Sequence, residues 1–114
     1  MVTPTPASVV IVAFPFSDLS AKKFRPAVVL AEAGRNDWIL CQISSNPHSD
    51  PNAVRLTDQS FSQGALRLVS FARPTKLFTA HISLINKRVA ILKDDVFREI
   101  LSATVDAFQK NLPR

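Results

Sequence analysis

The sequence is poor in cysteine and glycine, and each shortage excludes a class of protein. Its one cysteine, Cys41, cannot form a disulfide within the chain, and no Cys/His spacing offers a set of zinc ligands. Its two glycines, Gly34 and Gly64, are too few for a glycine-rich nucleotide-binding loop. No apolar run approaches the roughly 18 residues that a membrane span requires. These shortages argue against a disulfide-stapled domain, a zinc finger, an ATP or NAD enzyme and a membrane protein.

The composition is that of a globular protein with a basic surface. At 114 residues, 46% of them hydrophobic, the chain is predicted to fold as a single domain over 1–114. The N-terminal residues lack the charge and apolar stretch of a secretory signal, so we expect a cytoplasmic protein. With 14 Lys and Arg against 9 Asp and Glu, the net charge is +5. This excess favours partners that carry phosphate groups, such as nucleic acid.

The hydrophobic pattern predicts a mainly β chain that ends in a helix. Short β-branched runs, separated by proline and turn formers, predict strands at 8–14, 26–31, 37–43, 53–56, 66–71, 75–79 and 87–92. Segments 15–25, 44–52 and 57–64 are predicted as loops. From Asp94 to Leu112 the apolar residues recur at spacings of three or four, which predicts an amphipathic helix. A small antiparallel β-barrel with a C-terminal helix packed on it fits this order best.

Two strand boundaries carry the best chemical candidates, Arg25 and Ser44. If the strands at 26–31 and 37–43 pair as a hairpin, the start of the first lies beside the end of the second. Arg25 and Ser44 then share one rim, where a guanidinium and a hydroxyl can hold a phosphate. Residue type alone favours a surface ion pair for Arg25 and an ordinary turn for residues 44–47.

Other polar residues have two interpretations each. Four basic residues near proline turns form either a track for phosphates or a solvated face: Lys22, Lys23, Arg73 and Lys76. Phe24, beside this basic segment, either stacks on nucleic-acid bases or belongs to the core. Cys41 is predicted to be a buried and inert thiol, His48 a solvated loop residue and His81 a structural one.

Four segments, in this order and spacing, resemble the MazF/PemK family of type II toxin–antitoxin toxins: V-V-I-V-A-F-P-F-S-D-L, K-K-F-R-P-A-V-V-L, I-L-C-Q-I-S-S-N-P and R-P-T-K-L-F-T. The resemblance runs from about Val9 through the terminal helix. It implies an SH3-like β-barrel, usually a homodimer, that uses no metal or other cofactor. It also implies cleavage of single-stranded RNA or mRNA at short sequences to 2′,3′-cyclic phosphate and 5′-OH ends. A cognate antitoxin would neutralise the enzyme, and operator DNA would be bound only through the antitoxin complex.

The resemblance assigns roles residue by residue. Arg25 matches the arginine of the family's R-P motif, which contacts the scissile phosphate and is implicated in proton transfer. Ser44 stands where many members have the threonine of an I-T-S motif, so its hydroxyl is expected to hold the phosphate. Ser45 and Asn46 then fall on the substrate rim, and Arg73 matches a basic position that some members use at the site.

Three departures from the family pattern bear on activity. Ser44 keeps the hydroxyl of the commoner threonine but loses the methyl group that stiffens its χ1 angle. Thr75 replaces the aspartate of R-P-D-K-L-F-T, and His81 stands where an acidic residue often follows. An alternative function is therefore a catalytically degenerate toxin-fold protein that acts as a nucleic-acid or antitoxin-binding regulatory module. A third is a basic barrel that binds RNA without cutting it.

Overall fold

The computed structural model describes residues 3–15, 22–47 and 50–114, which contain seven strands and one α-helix. The strands are β1 (Ser8–Pro15), β2 (Lys22–Gly34), β3 (Asp37–Ser44), β4 (Val54–Leu56), β5 (Phe61–Gly64), β6 (Ser70–His81) and β7 (Ile85–Leu92), followed by α1 (Asp94–Gln109). They form one antiparallel sheet in the order β4-β6-β3-β2-β1-β7-β5, curled into a half-barrel. The predicted mainly β fold with a C-terminal helix is thus confirmed. No helix in the described ranges is long and apolar enough to span a membrane.

The first three strands form the predicted meander at the centre of the sheet. Strands β2 and β3 are joined by a two-residue turn, Arg35-Asn36, in which both φ angles are positive (53° and 65°). Such a turn matches the right-handed twist of a β-hairpin, and asparagine tolerates this backbone region better than most residues. The hairpin predicted across 32–36 is confirmed.

The core consists of two hydrophobic clusters on opposite faces of the central strands. Along β2, Val28 and Leu30 belong to the cluster that α1 covers through Ile100. Ala27 and Val29 belong to the other, with Leu40 of β3. Because successive side chains of a strand point to opposite faces, a continuous apolar run is required when both faces are buried. This requirement explains why the sequence of β2 shows no alternation of apolar and polar residues.

Strand β6 contains a bulge of four residues, Arg73–Lys76. Cys41 of β3 pairs with Leu77 and Ile43 pairs with Ala72, so the four residues 73–76 lie opposite Gln42 alone. The bulge accommodates the proline at position 74, which cannot donate a ladder hydrogen bond. The Cys41 thiol donates a hydrogen bond to the Arg73 carbonyl (3.0 Å), and the Thr104 hydroxyl of α1 donates one to the Pro74 carbonyl (3.1 Å). The predicted strands 66–71 and 75–79 are therefore corrected to one strand, Ser70–His81.

Four other predicted boundaries are corrected, the first two by tertiary pairing. Strand β2 begins at Lys22, because residues 22–25 pair with Pro15 through Val12 of β1. The predicted loop 57–64 contains a 3₁₀ turn, Asp58–Ser60, and then β5, which pairs with β7. Residues 66–69 lie between strands, although their composition favoured a strand. The helix ends at Gln109, three residues before Leu112.

Gly64 is required where β5 passes close to β7. Its φ is +68°, and a Cβ atom there would meet the Val89 carbonyl oxygen and lie 2.9 Å from the Ala90 Cα. Gly34 also has a positive φ (+93°), but no atom lies within 4 Å of an added Cβ. A substitution at Gly34 therefore has only the conformational cost of a side chain at positive φ, whereas a substitution at Gly64 adds a steric clash.

We expect Gly64→Ala to destabilise the protein by about 2 to 4 kcal/mol, because it combines backbone strain with a backbone clash. Gly34→Ala is the matched control and should cost only about 1 kcal/mol, the conformational part. Urea unfolding followed by circular dichroism measures both values. Equal losses of stability in the two variants would contradict the proposed close approach of β5 and β7.

Candidate nucleic-acid interface

A cleft of about 440 Å³ opens where β2 starts and β3 ends. Three chain segments line it: 23–26 of β2, 43–45 at the end of β3, and 66–68 with Ser70 at the start of β6. Among the residues predicted as a site, the cleft brings together Lys23, Phe24, Arg25, Ser44 and Ser45.

The strand register places Arg25 beside Ser44. Ala27 of β2 pairs with Gln42 of β3, and two further steps along this antiparallel register bring position 25 opposite position 44. On its other side Arg25 pairs with Val12 of β1. Arg25 therefore projects from a paired strand, two residues before the pairing of β2 with β3 begins, rather than from a loop, and its Nε is shielded from solvent. A guanidinium mounted in this way is held in place before any ligand binds.

The Ser44 hydroxyl is oriented by the chain that follows it. The backbone N–H of Asn46 donates a hydrogen bond to Ser44 Oγ (3.0 Å), the arrangement of an ST turn. This bond occupies a lone pair of Oγ and leaves the hydroxyl proton for donation to another acceptor. The turn thus presents Ser44 as a hydrogen-bond donor at the cleft.

The electrostatics of the cleft favour an anion. The described residues that line it include Lys23, Arg25 and Arg67 but no Asp or Glu. Phe24, at the same rim, is 59% exposed, so it does not belong to the core. Lys23 and Arg25 therefore face a concavity, and the ring of Phe24 is accessible to solvent, as the nucleic-acid interpretation of these residues requires.

The other predicted site residues lie outside the lining of this cleft. Asn46 and Lys76 are exposed, Lys76 within the β6 bulge. The side chain of Lys22 and the whole of His48 lie outside the described residues. His81 accepts a hydrogen bond from the Ser83 N–H at Nδ1 (3.1 Å), which caps the 3₁₀ turn Ile82–Leu84 and fits the structural role predicted for it.

Arg73 forms an ion pair with Asp50, a residue that the sequence did not single out. Arg73 Nε lies 3.7 Å from Asp50 Oδ2, and the Asp50 side chain is only 5% exposed. Asp50 Oδ1 also accepts a hydrogen bond from the Asn52 N–H (2.8 Å). The pair ties the segment after β3 to the bulge of β6, so part of the charge of Arg73 is balanced within the protein. A role for Arg73 toward RNA remains a prediction.

The cleft also contains residues that sequence reasoning missed, namely Arg67, its apolar neighbours Leu66 and Leu68, and Ser70. Their segment has the composition of a strand, and strand residues would have been placed within the sheet. The sequence contained one signal, the glycine at position 64 just before this segment. The φ of Gly64 is positive in the structure, and glycine in such a backbone region often ends a strand.

Cys41 of β3 is a buried free cysteine, and its surroundings make the thiol unreactive. Burial raises the pKa of its thiol to about 12. Within the described ranges, no group of three or more His, Cys, Asp or Glu side chains is placed to hold a metal ion.

Comparison with known proteins gives a consistent result. A family model described as PemK-like, MazF-like toxin of type II toxin–antitoxin system matches residues 5–108. None of the curated proteins searched by sequence gives a significant match.

Several solved structures share the fold at low sequence identity. One is a mycobacterial endoribonuclease in complex with its cognate antitoxin, with a TM-score of 0.74 and 11% identity, covering 97% of this chain and 100% of that one. Another is MazE–MazF from Deinococcus radiodurans, with a TM-score of 0.75 and 18% identity, covering 93% and 96%. A third is the Mycobacterium tuberculosis toxin MazF-mt6, with a TM-score of 0.70 and 13% identity, covering 90% and 96%. At these identities the likeness concerns the fold.

We expect the Cys41 thiol to react with Ellman's reagent at pH 8 only as fast as the protein unfolds, because its raised pKa and its burial keep it neutral and inaccessible. The unfolded thiol ionises near pH 9 and the folded one near pH 12. Stability should therefore fall as the pH rises from 9 toward 12, more steeply than in Cys41→Ala. Rapid labelling of the native protein, at a rate that does not change when urea is added, would contradict the predicted inaccessibility of the thiol.

Proposed function

The chain belongs to the PemK-like, MazF-like toxins of type II toxin–antitoxin systems, and on that premise we propose that it is an endoribonuclease that cleaves single-stranded RNA in the cleft at Arg25 and Ser44. One observation carries the proposal: an arginine and a serine hydroxyl from neighbouring strands meet in a cleft whose other charged residues are Lys23 and Arg67. This arrangement suits an anionic backbone whose charge increases during the reaction.

The reaction proposed is internal transesterification of the RNA. The ribose 2′-oxygen forms a bond to phosphorus and loses its proton, while the bond from phosphorus to the 5′-oxygen breaks and that oxygen gains a proton. The products are a 2′,3′-cyclic phosphate and a 5′-OH. Arg25 donates N–H groups to the non-bridging oxygens, where negative charge accumulates, and Ser44 donates its hydroxyl proton to the same group. A guanidinium stays protonated, so the main role of Arg25 is to stabilise charge.

Neighbouring residues bind the strand around the scissile phosphate. Lys23 and Arg67 line the same cleft, so we expect them to bind adjacent phosphates, and the exposed ring of Phe24 offers a face on which a base can stack. Stacking requires an unpaired base, which favours single-stranded RNA over a duplex. Ser45, on the same rim, is placed to contact the sugar or phosphate.

Incubation of the purified protein with mixed-sequence RNA in EDTA tests the activity. We expect discrete cuts that end in 2′,3′-cyclic phosphate, and a loss of rate of roughly 10²-fold or more in Arg25→Ala, because preorganised charge contributes a few kcal/mol at the transition state. Circular dichroism should show that this variant remains folded.

Matched variants separate charge from geometry in the same assay. Arg25→Lys keeps the charge but loses the planar fork, so its rate should lie between those of the parent and Arg25→Ala. Ser44→Thr should retain activity, whereas Ser44→Ala should lose about 10-fold with the hydroxyl. Binding of RNA without any cuts in the parent would favour the noncatalytic module instead, and equal rates in Arg25→Ala and the parent would remove this site.

We also propose that a cognate antitoxin binds the chain. Support comes from the mycobacterial endoribonuclease, whose structure was solved with its cognate antitoxin, and from the Deinococcus radiodurans MazE–MazF structure. Operator DNA would then be contacted through the antitoxin complex, and the homodimer implied by the family resemblance remains a prediction.

Induction of the chain in bacteria should arrest growth, and coexpression of the upstream neighbouring reading frame should relieve the arrest by occupying the toxin. Growth curves and copurification on a tagged toxin measure the two effects. The Arg25→Ala variant is the control: it should copurify the same partner but cause no arrest. Arrest that persists while the neighbouring protein is stably expressed would reject that protein as the antitoxin.

A further inference from the structure

A second cleft lies on the other side of the segment Leu66–Leu68. Its volume is about 380 Å³, and it is lined by residues 55–59, by Phe61 and by residues 66–69. Leu66, Arg67 and Leu68 line both clefts. This segment therefore separates the two clefts, and we call it the partition. An RNA strand bound in the first cleft can place its next nucleotide in the second.

The two sides of the second cleft differ in polarity. On the partition side, Leu68 is 67% exposed and Val69 is 46% exposed, so both present large apolar side chains to the solvent. Exposed apolar side chains beside a basic cleft offer a surface for the face of a base. On the opposite side stand Arg55, Asp58 and Gln59, whose side chains are exposed and polar.

The polar side is held rigidly by a capping box. The Thr57 hydroxyl accepts a hydrogen bond from the Gln59 N–H (3.2 Å), and the Ser60 hydroxyl accepts one from the Thr57 N–H (2.9 Å). These bonds fix the 3₁₀ turn that carries Asp58 and Gln59. The backbone of this turn is fixed, and the exposed carboxylate and amide that it carries can discriminate between hydrogen-bonding patterns at the edge of the cleft, because a mismatched base leaves them unsatisfied.

We propose that this second cleft is a base-selecting subsite for the nucleotide next to the cleaved bond and that Asp58 makes it prefer guanine over uracil, an inference that rests on the proposed ribonuclease function. A carboxylate repels phosphate, so a base rather than the backbone occupies the side near Asp58. Carboxylates accept hydrogen bonds only, and the Watson–Crick edge of guanine offers two adjacent N–H donors where uracil offers one. Arg67, on the partition, contacts the phosphate that joins the two nucleotides.

The test compares oligoribonucleotides that differ only in the base flanking the cut, with guanine or uracil at that position on either side. We expect the parent to cleave the guanine substrate with the higher kcat/KM, and Asp58→Asn to lower the guanine-to-uracil ratio by about 10-fold, since a charged acceptor is replaced by an amide. Cleavage of the uracil substrate should fall less than cleavage of the guanine substrate, because uracil offers the carboxylate only one N–H donor. Glu99→Gln, the same chemical change at an exposed residue of α1 that lines neither cleft, should leave the ratio at the parent value.

The outcomes distinguish this proposal from the function on which it rests. If the parent cuts RNA but Asp58→Asn keeps the parent ratio, or if Glu99→Gln changes the ratio equally, the subsite is rejected and the ribonuclease stands. If the parent cuts neither substrate, fluorescence anisotropy with the same oligonucleotides decides the subsite, and the ribonuclease is rejected when mixed-sequence RNA also stays intact. Tighter binding of the guanine oligonucleotide that Asp58→Asn abolishes would then support a base-selecting cleft, and equal binding would overturn it.

Discussion

The position of β2 between β1 and β3 is the constraint on which the candidate site depends. Pairing on both sides fixes the register of Arg25, because a slip of one residue would turn its side chain to the opposite face of the sheet. The same slip would move Val28 and Ala27 out of their respective core clusters. The hydrophobic core thus enforces the geometry of a charged residue that is not part of it.

A second constraint comes from the β6 bulge, which joins the site to the rest of the fold. Its carbonyl groups at positions 73 and 74 accept hydrogen bonds from Cys41 of β3 and Thr104 of α1. The Asp50–Arg73 ion pair adds the segment after Ser44 to the same assembly. Strand, helix and loop are therefore tied together at the bulge, beside the end of β3 that carries Ser44, and such support can hold the hydroxyl in position.

The sequence predicted the fold class, the central meander and the meeting of Arg25 with Ser44, because each follows from local pattern and from the geometry of a hairpin. It did not predict Arg67 or Asp58 at a cleft. Asp58 lies in the 3₁₀ turn just before β5 and Arg67 in the segment just after it, and the position of β5 is set by its pairing with β7. Gly64 marks the place, but the close approach to β7 that makes glycine necessary there is a tertiary contact.

What the sequence by itself determined is the mainly β class, the central strands and the C-terminal helix: runs that are apolar on both faces must be central strands, and the change of spacing after Asp94 must begin a helix. Only the tertiary structure decided which polar side chains share a concavity. It placed Lys23, Arg25, Ser44 and Arg67 around one cleft and paired Arg73 with Asp50 outside the lining of that cleft. The reason is that hydrophobic periodicity is a local property, whereas a cleft is formed by residues far apart in the chain whose proximity is fixed by strand order and register.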